Sequence, residues 1–182
     1  MVLDIKNLWG RWREKNYLNY KVYFSFMPQS PCIRTATLYD FERIVELERL
    51  CFQREHAYSR RQLRYLLTKA HSMVLVETSD SEIRGFVIVL FRRGTTVAGI
   101  ETINVDPVFR KMGIGLRLLS AVEDHLRKDG IRTIRLEVAI TNAAAIALYE
   151  HAGYHQVMLL KKYYHFTHQG SRDAYRMIKR LG

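Results

Sequence analysis

Apolar residues recur along this chain with two different periods, and these periods predict alternating helices and strands. Between residues 113 and 129 an apolar side chain returns at every fourth position, and Gly130 follows directly, which is typical of an amphipathic helix and its stop. Between residues 132 and 140 apolar and polar residues alternate strictly, which is typical of a strand with one buried face. The chain therefore mixes α and β elements.

The same patterns outline the rest of the chain. A helix is predicted from Asp40, as its N-cap, to about Cys51, and a second helix over 59–70. Asn142 is predicted to cap an alanine-rich helix. Strands are predicted at 33–37, 73–78, 85–93 and 99–107, and near 154–161 and 173–180.

Residues 1–30 differ from the remainder. The stretch WGRWREKNYLNYKVYFSF mixes aromatic with basic residues, and Pro28 and Pro31 then end any regular element. We predict a basic, aromatic N-terminal extension over 1–30 and one domain over 31–182. The aromatic side chains of the extension would pack on the rest of the protein or stack on a partner such as RNA bases.

Composition narrows the class of protein. A length of 182 residues, with 48% hydrophobic and 26% charged residues, is ordinary for one globular domain. Two cysteines cannot build a disulfide framework, and the sequence contains neither CxxC nor HExxH, so no metal is expected. No apolar run approaches the roughly 20 residues that span a bilayer. Asp4 and Glu14 argue against a secretory signal, and we predict a cytoplasmic protein without membrane attachment.

The net charge is strongly positive. The chain has 29 lysines and arginines against 18 acidic residues, which gives +11. Residues 1–30 contribute +3 of this charge, and the residues from Lys161 onward contribute +5. Such a balance favours an acidic partner, which would be nucleic acid, a phosphate-bearing cofactor, an acidic protein surface or anionic lipid.

The most informative stretch joins a predicted strand to a predicted helix. It is INVDPVFRKMGIGL over residues 103–116, so the strand ends at Asp-Pro and the helix begins in an RxxGxG pattern. Glycines let a ligand approach the backbone, and the amides at a helix start bind anions. A P-loop is absent, and Leu118 stands where the dinucleotide fingerprint needs a small residue. The pattern fits a pyrophosphate.

This RxxGxG stretch resembles the acetyl-CoA signature of the GCN5-related N-acetyltransferase (GNAT) superfamily. The later stretch LEVAITNAAAIALYEHAGY, residues 136–154, is similar to the RimI-type protein N-terminal alanine acetyltransferases. The similarity runs from about Ile33 to Arg180. It implies an α/β fold in which a central mixed, mostly antiparallel, twisted sheet is flanked by helices and splayed at the acetyl-CoA site. It also implies an acetyl-CoA-dependent N-acetyltransferase that acts on the N-terminal α-amine of a protein.

The resemblance also implies a set of cofactor contacts. The pyrophosphate of acetyl-CoA would lie on the amides of the loop, and its pantetheine arm would pair with the strand before it. In this superfamily the strand carries a bulge, and the Val105 amide would then polarise the thioester carbonyl. Asn142 would add a side-chain contact, act as a helix N-cap, or do both. The implied cofactor-binding residues are Ile103, Asn104, Val105, Arg110, Lys111, Met112, Gly113, Ile114, Gly115, Leu116 and Asn142.

Two residues are implied to carry the chemistry. In the RimI-type pattern Glu137 is the general base, which removes a proton from the attacking amine directly or through water, and Tyr149 is the general acid, which reprotonates the departing thiolate. From the residues alone, Glu137 is equally a solvated strand residue and Tyr149 an aromatic residue packed at a helix end. No covalent intermediate is needed, and nothing marks Cys51 as a nucleophile.

The stretch KKYY at 161–164 is similar to a basic-Tyr-Tyr stretch of RimI-type chains. This similarity implies that Tyr163 and Tyr164 hold the first residues of the acceptor. His165 stands where a proline usually follows, and Arg172 stands where an acidic residue is common. Both departures bear on the substrate loop, so the sequence that is acetylated stays open.

The pKa values of amines favour an N-terminal acceptor. An α-amino group titrates near 8 and a lysine near 10.4, so the neutral nucleophile costs about 3.4 kcal/mol less for the former at neutral pH. Lysine, a polyamine or another small amine is the alternative acceptor. A non-enzymatic alternative is a basic RNA- or ribosome-binding module on this fold, against which the combination of Glu137, Tyr149 and RxxGxG argues. The basic termini would contact a ribosomal or other acidic partner.

Overall fold

A computed structural model describes residues 30–92, 94–168 and 170–182. The extension predicted over 1–30 therefore lies, apart from Ser30, outside the described residues. The predicted strands and helices are confirmed, with ends that differ by a few residues at most. The strands are β1 Cys32–Thr35, β2 Ser72–Ser79, β3 Glu82–Phe91, β4 Val97–Val105, β5 Thr133–Ala139, β6 His155–Leu160 and β7 Ala174–Arg180; the helices are α1 Phe41–Cys51, α2 Arg60–Thr68, α3 Ile114–Lys128 and α4 Ala143–His151.

The strands form one sheet in the order β1-β2-β3-β4-β5-β7-β6. Neighbouring strands are antiparallel except β4 and β5, which are parallel. The parallel pairing covers only Val97–Ile100 against Thr133–Leu136, so β4 and β5 do not pair with each other beyond those residues. The mixed, mostly antiparallel and splayed sheet expected from the resemblance is therefore confirmed.

Each face of the sheet carries an apolar core. On one face, α3 and α4 pack against the alternating apolar residues of β5, and Leu118, Val122 and Leu126 are fully buried. On the other face, α1 and α2 bury Leu47 and Leu63 against β2 and β3. The apolar residues that recur every four positions in α3 and every two positions in β5 thus form the buried faces. Burial of their apolar area stabilises the packing of helices on the sheet. No helix among the described residues is long and apolar enough to cross a membrane.

Asp40 occupies the N-cap position of α1, as predicted, but its side chain does not cap that helix. It instead accepts hydrogen bonds from the Thr37 amide at 2.7 Å and from two nitrogens of Arg34 at 2.7 and 2.8 Å. The short turn Leu38–Asp40 that precedes α1 brings these groups together.

This ion pair predicts an acid-sensitive contribution to stability. The Arg34 guanidinium lowers the pKa of Asp40 to about 2, whereas an unfolded aspartate titrates near 3.9. Because the folded pKa is the lower one, the contribution is complete above pH 4 and is lost as the pH falls from about 4 to about 2. We expect Asp40→Asn to lower the free energy of unfolding at pH 7, and urea titrations should show this difference shrinking below pH 4. A difference that is constant from pH 2 to 5 would contradict the assignment.

Candidate active site

The ends of β4 and β5 that do not pair with each other form the centre of the candidate site. Ile100 and Leu136 are the last paired residues, so Glu101–Val105 and Glu137–Ala139 border an opening that we call the β4–β5 gap. A β-bulge at Glu101 begins it, because Ile88 pairs with Thr102 while Val89 pairs with Ile100. Such a bulge bends the strand and redirects its polar groups.

Alternation along β4 decides which backbone groups face the gap. The Asp106 amide donates to Arg84 O of the β3 side at 2.9 Å. In an antiparallel ladder the groups alternate, so Ile103 and Val105 direct their amides and carbonyls away from β3, toward the gap. The backbone amide and carbonyl of Asn104 point toward β3. The Asn104 side chain is buried and donates a hydrogen bond to Glu48 Oε2 at 2.6 Å. Of the three strand residues predicted to pair with a cofactor, the structure therefore brings Ile103 and Val105 to the gap.

The loop before α3 has the geometry of an anion site. Gly113 has a φ of 75° and Lys111 a φ of 64°, so the chain turns sharply before the helix. The first helical hydrogen bond runs from the Arg117 amide to Gly113 O at 3.0 Å, which leaves the amides of Ile114–Leu116 without helical acceptors. These amides and the positive end of a 15-residue helix favour a negative group.

An ion-pair network around buried Glu77 holds this loop. Arg117 donates to Met112 O at 2.9 Å and to Glu77 Oε1 at 2.6 Å. Glu77 is fully buried and also accepts hydrogen bonds from Arg84 at 2.7 and 3.0 Å. A buried carboxylate needs such partners, since an unpaired charge is costly to bury. Glu77 therefore links β2 to the loop.

Two residues predicted to contact a cofactor have structural roles in this chain. A Cβ at Gly115 would stand 2.9 Å from Leu148 Cδ2, so the glycine allows α3 and α4 to pack closely. Asn142 Oδ1 accepts a hydrogen bond from the Ala145 amide at 3.2 Å, which confirms its role as the N-cap of α4. The backbone amide of Gly115 and the side-chain nitrogen Nδ2 of Asn142 stay candidates for cofactor contacts.

Arg110 lies across the end of β4. Its Nε donates to Val105 O at 3.3 Å, and its Nη2 stands 3.6 Å from Cys51 Sγ. Cys51 also donates to Val105 O at 3.3 Å, and burial raises the pKa of its thiol. A protonated thiol is a poor nucleophile, so this environment does not activate Cys51.

Glu137 and Tyr149 lie on β5 and α4, and their surroundings differ. The Glu137 side chain is 16% exposed, and its Oε1 accepts a hydrogen bond from Arg176 Nε at 2.8 Å. Tyr149 is buried, and burial together with the nearby Tyr164 raises its pKa. Tyr149 is therefore protonated at neutral pH and holds a proton that it can donate.

Two loops border the gap on the α1 and α2 side of the sheet. The α1–α2 loop (52–59) contacts the β6–β7 loop (161–173) where His56 Nε2 and Thr167 O stand 3.0 Å apart. The rings of Tyr163 and Tyr164 meet edge to face at 5.0 Å. Burial, with Tyr163 and Glu137 nearby, raises the pKa of Tyr164 to about 12. Beyond burial, the charge of Glu137 thus raises the pKa values of both Tyr163 and Tyr164, so the residues predicted to hold the acceptor lie close to Glu137.

Arg172, noted in the sequence as a departure from the RimI-type pattern, closes the β6–β7 loop. Its Nε donates to Tyr164 O at 2.7 Å, and its carbonyl accepts from the Tyr164 amide at 3.0 Å. This arginine therefore fixes the backbone of Tyr164.

Sequence reasoning missed four residues at the site. Tyr58 in the α1–α2 loop donates a hydrogen bond from its hydroxyl to Glu101 Oε1. Glu48 of α1 is buried and accepts hydrogen bonds from the Tyr58 amide at 2.9 Å and from Asn104. The signals available were a glutamate within the apolar strand GIETINV and a glutamate at a buried position of α1. No local sequence pattern relates these two glutamates to each other or to Tyr58. The fourth missed residue is Arg176, the partner of Glu137.

Comparisons with known proteins agree with this geometry. Residues 41–154 match the model of the acetyltransferase (GNAT) family. The chain is 31% identical over 152 residues to the N-alpha-acetyltransferase RimI of Mycobacterium tuberculosis, covering 82% of this chain and 92% of that protein. It is 43% identical over 77 residues to the [ribosomal protein bS18]-alanine N-acetyltransferase of Escherichia coli K12, covering 42% of this chain and 51% of that protein. This alignment spans about half the length of the relative.

A solved structure gives the same result. The crystal structure of the ribosomal-protein-S18-alanine N-acetyltransferase from Escherichia coli is similar with a TM-score of 0.75 and 27% identity, covering 84% of this chain and 95% of that chain. The family match over more than half of the chain confirms the resemblance seen in RxxGxG and residues 136–154. The chain belongs to the GNAT family of acetyltransferases.

Proposed function

We propose that this protein transfers the acetyl group of acetyl-CoA to the N-terminal α-amine of a protein. The observation that carries the proposal is the position of the β4–β5 gap. The gap offers the backbone groups of Ile103 and the amide of Val105, and the loop of residues 110–116, which has the geometry of an anion site, follows the same strand. A ligand with a diphosphate and an extended amide-bearing arm matches this combination.

The residues present fit acetyl-CoA. Its diphosphate would be held by the amides of Lys111–Leu116, and its pantetheine arm by the β4 groups that face the gap. Lys111 is exposed and would add a positive charge, and the Asn142 amide nitrogen would add a contact. The group supplies an activated acetyl thioester when bound. Among the described residues, no cluster of His, Cys, Asp or Glu could hold a metal ion.

The chain's own residues would perform the transfer in one displacement. Glu137 would take a proton from the acceptor's ammonium group, directly or through water, to give the neutral amine that attacks the acetyl carbon. The second proton of the nitrogen would leave to solvent as the new bond forms. The Val105 amide would donate to the carbonyl oxygen while negative charge develops there. Tyr149 would give its proton to the sulfur as the carbon–sulfur bond breaks.

An N-terminal acceptor is supported by the two loops and by the relatives. Burial and the charge of Glu137 raise the pKa of both Tyr163 and Tyr164, which supports a position of this pair near Glu137, where the first residues of a peptide would lie. The names of two relatives describe acetylation of the alanine of ribosomal protein bS18 and α-acetylation. A ribosomal protein is therefore our first candidate acceptor, and the N-terminal α-amine is also the more easily deprotonated one.

A panel of acceptors tests the proposal. We expect the purified protein to transfer radiolabelled acetyl groups from acetyl-CoA to peptides with a free N-terminal alanine. Transfer should fall at least 100-fold for the same peptides with a blocked N-terminus and an internal lysine, and for spermidine. Blocked peptides remove the α-amine while keeping the side chains, so they separate the two amines. Faster transfer to lysine or spermidine would contradict the proposed acceptor, and no transfer to any amine would contradict the activity.

A further inference from the structure

Two carboxylates stand at the start of the β4–β5 gap. Glu101 follows the last paired residue of β4, and Glu137 follows the last paired residue of β5. Burial and the charges of Glu137 and Glu101 raise the pKa of Tyr163. Arg176 and Arg135 lower it, so all four charged groups lie near this tyrosine. The sequence assigned a role to Glu137 alone.

The two carboxylates differ in their partners. Glu137 is neutralised by Arg176 at 2.8 Å. Glu101 is exposed, and within the described part of the chain no lysine, arginine or histidine forms a salt bridge with it. In a protein of net charge +11, a carboxylate without a cationic partner is a local site of negative charge.

Glu101 is also held in place. The Tyr58 hydroxyl donates to its Oε1, and burial and the Glu101 charge keep that phenol protonated by raising its pKa. The backbone of Tyr58 is fixed in turn by buried Glu48, which also holds Asn104 of the same strand. A carboxylate that is oriented before the ligand arrives loses less entropy on binding it.

We propose that Glu101, oriented by Tyr58, binds the acceptor amine in its protonated, ammonium form before transfer. The proposal rests on the proposed function and gives the two carboxylates different roles, one in binding the ammonium ion and one in accepting a proton. Glu101 receives the cation. Glu137, already paired with Arg176, then takes one proton from it to give the neutral amine, and the second proton leaves to solvent as the nitrogen bonds to the acetyl carbon. Since an ammonium ion makes charge-assisted hydrogen bonds with a free carboxylate, Glu101 contributes to acceptor affinity.

The test compares an ammonium group with a neutral isostere. The probes are a C-terminally amidated pentapeptide that begins with alanine and has no charged side chain, and the same peptide with lactic acid in place of the alanine. The α-ammonium is then the only charge of the first probe. For Glu101→Gln we expect a 10- to 100-fold higher KM for the peptide, with kcat and the KM for acetyl-CoA changed less than threefold. Tyr58→Phe should give a smaller increase, and Glu101→Asp should recover part of the affinity.

The isostere separates charge recognition from a structural role. Titrated onto enzyme saturated with CoA, the wild-type protein should bind the ammonium peptide at least tenfold more tightly than the lactic acid peptide, and Glu101→Gln should abolish this preference. Asp129→Asn removes an exposed carboxylate after α3 and serves as the matched control for net charge. An unchanged KM, or an equal loss of affinity for both peptides, would overturn the proposal. A wild-type protein that prefers the ammonium peptide but acetylates no amine would instead contradict the proposed function.

Discussion

Replacing Glu137 with glutamine is expected to lower kcat for acetyl transfer by about 100-fold or more at pH 7, within the range reported for loss of a general base. Glutamine keeps the size of the side chain and can still accept a hydrogen bond from Arg176, but it cannot take a proton. The affinity for acetyl-CoA should stay nearly the same, because Glu137 lies on β5 and the anion-binding loop lies before α3. Initial rates at saturating substrates, with separate titrations of acetyl-CoA, measure both quantities.

The pH profile gives a second measure of the same role. An α-amine titrates near 8, so above that pH the acceptor arrives already neutral and depends less on the base. The ratio of wild-type to Glu137→Gln turnover should therefore be largest near pH 6 and fall toward pH 9. Glu150→Gln, an exposed glutamate of α4, is the matched control. Equal turnover of wild type and Glu137→Gln from pH 6 to 9 would exclude Glu137 as the base.

Replacing Gly113 with valine is expected to weaken acetyl-CoA binding by about 10- to 100-fold, the equivalent of about 1.4 to 2.8 kcal/mol. Gly113 has a φ of 75°, which a β-branched residue rarely adopts. Its new Cβ would stand 3.2 Å from Arg117 Nη1, the group that holds Met112 O. Turning the loop away would remove charge-assisted hydrogen bonds from the diphosphate.

Gly130 provides a matched control for backbone strain. It has the same φ of 75°, and a Cβ there would meet nothing within 4 Å. Both Gly113→Val and Gly130→Val should therefore lower the thermal midpoint, because both place valine at a positive φ. Only Gly113→Val should raise the Kd for acetyl-CoA. Calorimetric titration of both variants compares them. An equal loss of affinity in the two variants would show that the effect is general destabilisation, and no loss in Gly113→Val would remove the loop from the cofactor site.

The excess positive charge of the C-terminal stretch is partly used inside the protein. Arg176 pairs with Glu137, Lys179 pairs with Glu123 at 2.6 Å, and Arg172 holds Tyr164 O. Lys161, Lys162 and Arg180 are exposed. The charge count from Lys161 onward therefore overstates what is available to a ribosomal or other acidic partner, and that partner stays a prediction.

The sequence was sufficient for the fold and for the glycine turn before α3; the binding of an anion by that turn stays a prediction. Helical and strand periods arise from residues a few positions apart, and RxxGxG with its preceding Asp-Pro is a single continuous stretch, so both are visible without tertiary structure. The resemblance then predicted the splayed sheet, which the four-residue pairing of β4 and β5 confirms. The roles of Glu137, Tyr149, Tyr163 and Tyr164 stay predictions.

The charge arrangement of the site was decided by the tertiary structure alone. Tyr58 and Glu101 are 43 positions apart, Arg176 and Glu137 are 39 apart, and Arg117 and Glu77 are 40 apart. No local period relates such residues, because sheet register and the bulge at Glu101 determine which side chains meet. The sequence by itself thus determined the elements, the family and the glycine turn before α3, whereas the fold determined which carboxylate pairs with an arginine and which one has no salt bridge among the described residues.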